Sequence, residues 1–368
     1  IQKGKLFLSD DILHLKKQFT IDDFDKISEI ELKASNHTHG KKTLLKNVFQ
    51  VQASEYLIIN NDEVIDRNFF FTYAIEKESS DSYSSLKNKT IITFNNVFKR
   101  FIDSLNNRTI VVPLSGGFDS RLIAIMLKKY NYKNVVCYTY GRKDSFEIEN
   151  SQKTAKTLNF EWHFIEYKDD LISDFLITDE FKDYAHFAGK LSSMPNLQEY
   201  FAVKHLKKQK LISNDAIFVP GYAGDLLGGS QFLKVIPENL KQEQIADLVI
   251  RKKFSNYPLS KTEKKTIKNQ VEQNLFHFDE NYVKKIPSSV FEDYDIKEKI
   301  AKYIFNSANF YTFFGYEHRF PFWDKELLDL FKKVPVKYKN MKMLFNTVLI
   351  NEYFKPNTVY FENELQPS

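Results

Sequence analysis

The hydrophobic residues of this chain repeat with two different spacings, and the alternation between them predicts most of its secondary structure. After about residue 93, short runs of consecutive apolar residues alternate with longer segments in which an apolar residue recurs every three or four positions. The short runs are typical of strands buried on both faces, and the longer segments are typical of amphipathic helices. Because strands and helices alternate, we predict an α/β fold with a doubly wound parallel sheet and helical additions.

The individual elements follow from that pattern. The predicted strands are TIVVPL, NVVCYTYG and EWHFIEY. The predicted helices are TIITFNNVFKRFIDSL before the first strand, and SRLIAIMLKKYN and SFEIENSQKTAKTLN between the strands. From about residue 230 onward, the spacing predicts a chiefly helical chain.

Residues 1–92 show a different pattern, in which apolar or alternating runs are separated by polar turns. The runs KLFLSDDILHL, NVFQVQASEYLIINN and VIDRNFFFTYA predict a β-rich region. The polar segment SNHTHGKK between the first two runs is expected to be a solvated loop, because His37 and His39 lack the further ligands that zinc requires. The serine-rich stretch 76–89 is expected to be a linker. We therefore predict two domains, residues 1–92 and residues 93–368.

Composition narrows the class of protein. The chain has 34 Phe and 20 Tyr, enough for a large aromatic core, and a net charge of +5 that is spread along the sequence. This charge does not favour nucleic-acid binding, and no apolar run reaches the length of a membrane span. The single cysteine, Cys137, excludes an intrachain disulfide framework and is expected to be a core thiol in a cytoplasmic protein.

The segment SGGFDS lies between a predicted strand and a predicted helix, where a doubly wound fold binds its ligand. Gly116 and Gly117 allow main-chain N–H groups to approach a ligand, and Ser115 and Ser120 add hydroxyl donors. Ser120 or Asp119 is expected to cap the helix. Together with the positive end of the helix dipole, these groups predict a binding site for an anion, most naturally phosphate.

This loop lacks the lysine of a Walker A motif and carries Asp119 instead. An acid inside a phosphate site is unfavourable unless a divalent cation bridges it to the phosphate. The loop therefore predicts a pyrophosphate group bound with Mg²⁺, and bond breaking between the α and β phosphates.

SGGFDS also resembles the SGGxDS pyrophosphate loop of the asparagine synthetase family of ATP pyrophosphatases. The second loop of that family is matched by PGYAGDLLGG, residues 220–229, which follows the strand-like AIFV. The family's ExRxPFLD is matched by EHRFPFWD, residues 317–324. Met194-Pro195 precedes the helix NLQEYFAVKHLKK and matches a family segment that lines the substrate pocket. The resemblance covers residues 95–365 approximately.

The beginning of the chain is also similar to this family. KTLLKNVFQVQASEYLII resembles the stretch that closes the family's N-terminal glutaminase domain, so residues 1–92 are expected to be the second half of such an Ntn-type domain. The nucleophilic N-terminal cysteine of that domain has no counterpart here. Where glutamine is the nitrogen source, a glutaminase portion upstream or in a partner chain is therefore expected.

The resemblance implies a specific chemistry, an AMP-forming carbon–nitrogen ligation. In the family, a carboxylate oxygen attacks the α phosphate of ATP, pyrophosphate leaves, and nitrogen then attacks the acyl-adenylate to give an amide and AMP. Asp119 and Asp225 match the residues that bind Mg²⁺, and the backbone at Leu114 and Tyr140 matches the adenine site. The pyrophosphate and ATP contacts would come from Ser115, Gly116, Gly117, Asp119, Ser120, Gly221 and Tyr222.

Two positions depart from the family pattern. Tyr222 stands where the family has a glutamate that helps to deprotonate ammonia; lactam-forming relatives also have tyrosine there, with a distant acid as its partner. Glu364 stands where a lysine stabilises the phosphate of the adenylate, so Lys342 or Lys355 is a candidate replacement. Glu317 and Arg319 are expected either to face the substrate or to form an ion pair that braces the second loop.

Three functions remain open at this point. The first is an asparagine synthetase-like ligase that uses ammonia from glutamine, and the second is a lactam- or macrolactam-forming synthetase that uses a substrate amine. The third is a non-catalytic nucleotide-binding regulator. The expected partners are a small carboxylate, a nitrogen donor and, as a further alternative, a second copy of the chain in a homodimer, with no nucleic acid and no membrane.

Overall fold

The computed structural model describes residues 6–143, 145–168, 171, 174–232, 239–276 and 284–361, and these residues form two sheets. The strands are β1 (Glu55–Asn60), β2 (Glu63–Phe69), β3 (Ile110–Pro113), β4 (Val135–Gly141), β5 (Glu161–Glu166), β6 (Ile217–Phe218) and β7 (Glu317–His318). β1 and β2 form an antiparallel hairpin. The other five strands form one sheet in the order β5-β4-β3-β6-β7, in which every neighbouring pair is parallel.

The helices are distributed along the whole described chain. They are α1 (Ile12–Phe19), α2 (Lys26–Ser35), α3 (Tyr83–Asp103), α4 (Phe118–Lys129), α5 (Phe146–Leu158), α6 (Asp179–Gly189), α7 (Tyr200–Lys208), α8 (Gly224–Gly228), α9 (Ile245–Lys253), α10 (Lys261–Phe276), α11 (Pro287–Asp295), α12 (Phe305–Ser307), α13 (Asn309–Phe313), α14 (Lys325–Phe331), α15 (Val336–Lys339) and α16 (Met343–Val348). Two segments, Ile296–Ile304 and Leu349–Phe354, are π-helical and follow α11 and α16.

The chain divides into two compact units. We call the first the helical unit; it comprises Ile1–Lys77, Asp179–Pro195 and Glu238–Asn309. We call the second the sheet unit; it comprises Glu78–Thr178, Asn196–Pro237 and Phe310–Ser368, and it contains the five-stranded parallel sheet.

The parallel sheet confirms the predicted α/β architecture of the sheet unit. Ile110, Val111 and Val112 of β3 have no exposed surface, as expected for a central strand covered on both faces. Leu122 to Leu127 of α4 are likewise buried. Cys137 is buried in β4, and burial raises the pKa of its thiol.

The helical unit differs from the β-rich region predicted for residues 1–92. The run KLFLSDDILHL was predicted as a strand, but its second half begins α1, because the carboxylate of Asp11 accepts the N–H of Leu13 at 2.9 Å and caps the helix. Within the described part of this region, extended strands are confined to the hairpin β1–β2. The glutaminase-like assignment is therefore not confirmed.

The predicted linker at residues 76–89 is only partly irregular. The hydroxyl of Ser82 accepts the N–H of Ser85 at 3.2 Å, and α3 begins at the next residue, Tyr83. A serine-rich sequence can thus start a helix as well as separate two domains, because serine is a favourable N-cap. In the described part of the chain, every helix falls short of the length and apolar character needed to cross a membrane.

Candidate active site

A first loop, residues 115–120, connects β3 to α4 and is held together by its own hydroxyl groups. The hydroxyls of Ser115 and Ser120 lie 3.1 Å apart. The N–H of Gly117 donates to the Ser115 hydroxyl at 3.1 Å, and the N–H of Ser115 donates to the Ser120 hydroxyl at 3.2 Å. The predicted strand–loop–helix context of SGGFDS is therefore present, and the loop lies at the carboxyl end of a central strand.

The helix that follows this loop has no side-chain cap. Its N-cap residue is Gly117, so the prediction that Asp119 or Ser120 caps the helix is wrong: α4 begins one residue before Asp119, and the Ser120 hydroxyl is bonded to Ser115 instead. The first N–H groups of a helix need partners from outside it. Without a side-chain cap, they are available to an anion at the positive end of the helix dipole.

One close contact explains why residue 116 is a glycine, and a hydrogen bond to its carbonyl holds the loop in place. A Cβ atom on Gly116 would lie 2.9 Å from the Cα of Glu147, which is closer than real Cβ contacts. The carbonyl oxygen of Gly116 accepts a hydrogen bond from the buried guanidinium of Arg121 at 2.5 Å. The same guanidinium donates to the carbonyl of Val359 at 2.9 Å, so it ties the loop to the end of the described chain.

A second loop, residues 220–229, follows β6 and packs directly on the first. A Cβ atom on Gly221 would lie 2.9 Å from the Cβ of Asp119, and one on Gly224 would lie 2.5 Å from its carboxyl carbon. The N–H of Asp225 donates a hydrogen bond to the Asp119 carboxylate. The structure therefore brings together Asp119 and Asp225, the two acids that the sequence singled out.

The electrostatics of this pair are unfavourable for two negative charges. Burial and the nearby charge of Asp225 raise the pKa of Asp119 to about 8, while Lys342 and the N–H of Asp225 act in the opposite direction. Lys342 and its neighbour Met341 both have left-handed backbone angles, with φ of 55° and 51°. Such conformations are strained for residues other than glycine and are common at ligand sites.

The two loops border a cavity of about 320 Å³ in the sheet unit. Its charged lining residues in the described chain are all acidic, namely Asp119, Glu147 and Glu199. Ser115, Tyr140 and Tyr222 also line it. A cavity of this size fits a small ligand, and an anionic ligand beside these acids would need a cation to balance the negative charge.

The remaining predicted ligand contacts occupy the walls of this cavity. Leu114 lines it; its N–H donates to the carbonyl of Tyr138 at 2.8 Å, and its carbonyl accepts the Thr139 hydroxyl at 2.6 Å. The ring of Tyr140 stacks on Tyr167 with centroids 5.2 Å apart. The ring of Tyr222 stacks on Phe320 with centroids 5.7 Å apart.

The predicted pair Glu317 and Arg319 lies elsewhere in the sheet unit. The Glu317 carboxylate accepts from Arg319 at 2.6 Å and also from Arg108, and Arg319 donates to the Ser104 hydroxyl at 2.8 Å. Neither residue is among those that line the cavity. Of the two lysines proposed to replace the family lysine, Lys355 has its Nζ 5.6 Å from the ring centroid of Tyr360. Glu364 falls outside the described residues.

One acidic residue in the cavity was not singled out from the sequence. Glu199 precedes α7, and its Oε1 accepts hydrogen bonds from the hydroxyls of Tyr138 and Tyr311, at 2.5 Å in the second case. Burial raises its pKa to about 7, although both tyrosine hydroxyls lower it. Its position four residues after Pro195, in the segment matched to a substrate pocket, was the signal that could have found it.

A separate polar cluster lies in the helical unit, and it corrects the sequence interpretation of SNHTHGKK. His37 and His39 are buried, with 1% and 2% exposure, so they do not belong to a solvated loop. They meet Glu298 in a group whose ligand atoms lie within 4.8 Å of one another.

The chain itself already neutralises this second cluster. Glu298 accepts the N–H of Gly40 at 3.0 Å and the ammonium of Lys302 at 2.7 Å. Lys302 also donates to the carbonyls of Gly40 and Thr38. A lysine charge at this position repels a metal ion, so the cluster is best explained as a structural network.

A comparison with protein families gives a match over most of the chain. The family model described as asparagine synthase matches residues 105–349. A curated relative, the 7-cyano-7-deazaguanine synthase of Sulfurihydrogenibium sp. (strain YO3AOP1), is 38% identical over 63 residues, which are 17% of this chain and 28% of that protein. The chain thus spans little more than a quarter of the length of this relative.

Two solved structures are similar at low identity. One is the NH3-dependent NAD synthetase from Campylobacter jejuni subsp. jejuni NCTC 11168 in complex with the nitrate ion, with 16% identity, a TM-score of 0.27, and coverage of 55% of this chain and 91% of that one. The other is NMN synthetase from Francisella tularensis, with 11% identity, a TM-score of 0.26, and coverage of 72% and 97%.

Proposed function

Because the chain belongs to the asparagine synthase family, whose members are ATP-dependent carbon–nitrogen ligases, we propose that it uses ATP to adenylate a carboxylate and then transfers nitrogen to it. The carboxylate oxygen would attack the α phosphate, pyrophosphate would leave, and nitrogen would displace AMP to form an amide. The proposed substrates are therefore ATP, a small carboxylic acid and a nitrogen donor.

The observation that carries this proposal is the contact between the two loops. Asp119 and Asp225 follow adjacent strands, β3 and β6, and the glycines beside Asp225 leave no space for a side chain between them. The uncapped start of α4 adjoins the same place. Acids and anion-binding N–H groups together suit a polyphosphate that carries its own metal ion.

The donor set fits Mg²⁺, which prefers carboxylate oxygens together with phosphate oxygens and water. Asp119 and Asp225 would hold it. Burial and, after it, repulsion from Asp225 raise the pKa of Asp119, and a divalent cation would relieve that repulsion. When bound, the ion would offset the negative charge that develops on the leaving pyrophosphate.

The residues of the chain contribute mainly by positioning and by charge. The N–H groups of α4 and the Ser115 and Ser120 hydroxyls would bind the leaving pyrophosphate. Lys342 acts electrostatically on Asp119 and is therefore the described lysine best placed to balance phosphate charge at this end of the cavity. The backbone at Leu114 and Tyr140 would position adenine.

Two nitrogen sources are compatible with this chemistry. Ammonia released from glutamine by a glutaminase portion, upstream or in a partner chain, would give an asparagine synthetase-like amidotransferase. A substrate amine would give a lactam- or macrolactam-forming synthetase, and Tyr222 on the cavity wall favours this second candidate.

The test is the stoichiometry of ATP cleavage with a panel of acids. The protein would be incubated with Mg²⁺, ATP and amino or uronic acids, and AMP, pyrophosphate, ADP and phosphate would be quantified. We expect equal amounts of AMP and pyrophosphate with at least one acid, and about 1,000-fold less of both with Asp119→Asn. Formation of ADP and phosphate would contradict the proposal. ATP binding without turnover on any acid would instead support a nucleotide-binding regulator.

A further inference from the structure

The carboxylate of Glu199 has one satisfied oxygen and one free oxygen inside the cavity. Its Oε1 accepts hydrogen bonds from the hydroxyls of Tyr138 and Tyr311, whereas its Oε2 accepts none from any described residue. Glu199 lines the cavity, and the residue is only 5% exposed. Because Oε2 has no donor from the described chain and Glu199 lines the cavity, this oxygen can accept a hydrogen bond from a ligand there.

The groups around Glu199 are aromatic and neutral. We call them the tyrosine cluster: Tyr138, Tyr140, Tyr167, Tyr222 and Tyr311. Burial, followed by the charge of Glu199, raises the pKa of both Tyr140 and Tyr167 above its usual range, so their hydroxyls keep their protons. Tyr222 acts electrostatically on Tyr140 and Tyr311, which places it in the same group.

Neutral hydroxyls around a carboxylate favour one class of ligand. An ammonium group supplies the N–H donors that the second carboxylate oxygen lacks, and the tyrosine hydroxyls nearby carry no charge that would repel it. The charged residues that line the described cavity wall are all acidic, so no side chain there competes for Glu199. The free oxygen of Glu199 therefore suits a protonated amine.

We propose that Glu199 and the tyrosine cluster bind the nitrogen substrate as an ammonium ion or a primary alkylammonium, and that Glu199 accepts the proton that frees its lone pair. This inference rests on the proposed ligase function and specifies its second substrate. Free ammonia and a substrate amine share this chemistry, and the two sources are separated experimentally below.

The proton and bond changes balance without a further reactant. The nitrogen gives one proton to Oε2 of Glu199, and its lone pair attacks the carbonyl carbon of the acyl-adenylate. The carbon–nitrogen bond forms, and the bond between that carbon and the phosphate oxygen breaks. The second proton of the nitrogen leaves with the AMP phosphate, and Glu199 returns its own proton to water.

The first test measures ammonium binding directly. Methylammonium chloride and ammonium chloride would be titrated calorimetrically into the protein, both free and saturated with Mg²⁺ and α,β-methylene-ATP. Glu199→Gln keeps an oxygen for Tyr138 and Tyr311 but presents an amide in place of Oε2. We expect this variant to bind both ions at least ten-fold more weakly, with unchanged affinity for the nucleotide analogue.

The matched control is Gln198→Ala, which alters the neighbouring lining residue without changing charge and should keep ion binding within about three-fold. Preference for ammonium would indicate free ammonia as the nitrogen source, and preference for methylammonium would indicate a substrate amine; both support the proposal. Equal binding of the ions by wild type and Glu199→Gln would overturn it. A selective loss of ethylene glycol binding in Glu199→Gln would also overturn the proposal, because Glu199 would then recognise a hydroxyl group.

The second test separates the two half-reactions. With an acid identified by the AMP assay, ATP–pyrophosphate exchange reports adenylation alone, and amide formation reports both steps. We expect Glu199→Gln to retain exchange and to lose amide formation by about 100-fold, the usual effect of removing a general base. An equal loss in both measurements would contradict the proposal. Failure of the wild-type protein to bind the nucleotide analogue would instead contradict the proposed ligase function.

Discussion

Two regions of this chain bury carboxylates, and they differ in how the negative charge is balanced. In the helical unit, Glu298 accepts a hydrogen bond from Lys302, and the lysine is fully used by the carbonyls around it. In the sheet unit, Asp119 faces another acid, Asp225, and Lys342 is the cation that acts on it. In the first region the chain itself balances the charge of Glu298, whereas the second region places two acids against each other. The comparison shows that buried charge alone does not identify a functional site; the informative feature is charge that the chain leaves unbalanced.

The largest difference between the two regions is expected when an acid in the sheet unit is neutralised. Asp119→Asn or Asp225→Asn should reduce AMP formation by a factor of about 1,000, because the metal-bearing end of the nucleotide would lose a charged ligand. Thermal unfolding should show no loss of stability, since the change removes a repulsion. Activity near the wild-type level in either variant would contradict the assignment.

The lysines of the two regions provide a matched pair of variants. Lys302→Met should destabilise the protein by about 3–5 kcal/mol, because Glu298 would be left as an uncompensated buried charge. Lys342→Met should change the free energy of unfolding by less than about 0.5 kcal/mol and instead weaken nucleotide turnover. Urea unfolding of both variants measures this difference. Equal stability losses would mean that the regions do not differ as described.

The pH dependence of stability should also reveal the acid pair Asp119 and Asp225 in the sheet unit. The pKa of Asp119 is raised from 3.8 to about 8, so the folded protein holds a proton that the unfolded chain releases. The unfolded state therefore binds fewer protons between these values, and stability should fall as pH rises from about 4 to about 8. The fall should be smaller in Asp119→Asn, as measured by thermal midpoints across this range. Identical slopes in the two proteins would contradict the raised pKa.

The smallest expected effect concerns His39 in the helical unit. Both of its ring nitrogens are buried without a hydrogen-bond partner, and the ring stacks on Phe254 with centroids 4.3 Å apart. His39→Phe should preserve the stacking and stabilise the protein by about 1 kcal/mol, because an unsatisfied polar group is removed. Chemical denaturation at pH 7 measures this change.

Stability at acidic pH gives a control for the His39→Phe variant. Burial lowers the pKa of His39 well below its usual value and that of His37 to about 3. The unfolded chain binds these protons first, so wild-type stability should fall as pH decreases from about 6.5 toward 3. His39→Phe should reduce this fall. A variant that loses stability at pH 7 would show that the imidazole has a required partner.

Much of the sheet unit could be predicted because its strands carry their own signal. Consecutive apolar residues identified β3, β4 and β5, and the glycine–serine–aspartate pattern located the first loop. β7 has two residues, as β6 has, but β6 lies within the apolar run AIFV whereas β7 lies in the polar sequence EHRF, so β7 was missed. The cap of α4 was also predicted wrongly, because the Ser120 hydroxyl, which suits a helix start, is bonded to Ser115 across the loop instead.

The helical unit was less predictable because its character depends on distant contacts. His37 and His39 stand in a polar sequence, and their burial results from packing against residues such as Phe254 and Glu298, more than 200 positions away. The same limit applies to Glu199, whose partners Tyr138 and Tyr311 lie on other elements. A linear pattern records the period of one element, not the identity of the residues that will face it.

The burial of Cys137 has a practical consequence for measuring motion in this molecule. The sequence contains no other cysteine, and this thiol is shielded in β4 and holds its proton tightly, so alkylating reagents should react with it only when the sheet opens. A cysteine introduced at an exposed position such as Phe146, at the start of α5, would then be the one site that accepts a fluorophore under native conditions. Movements beside the first loop can thus be followed by spectroscopy without first removing a native thiol.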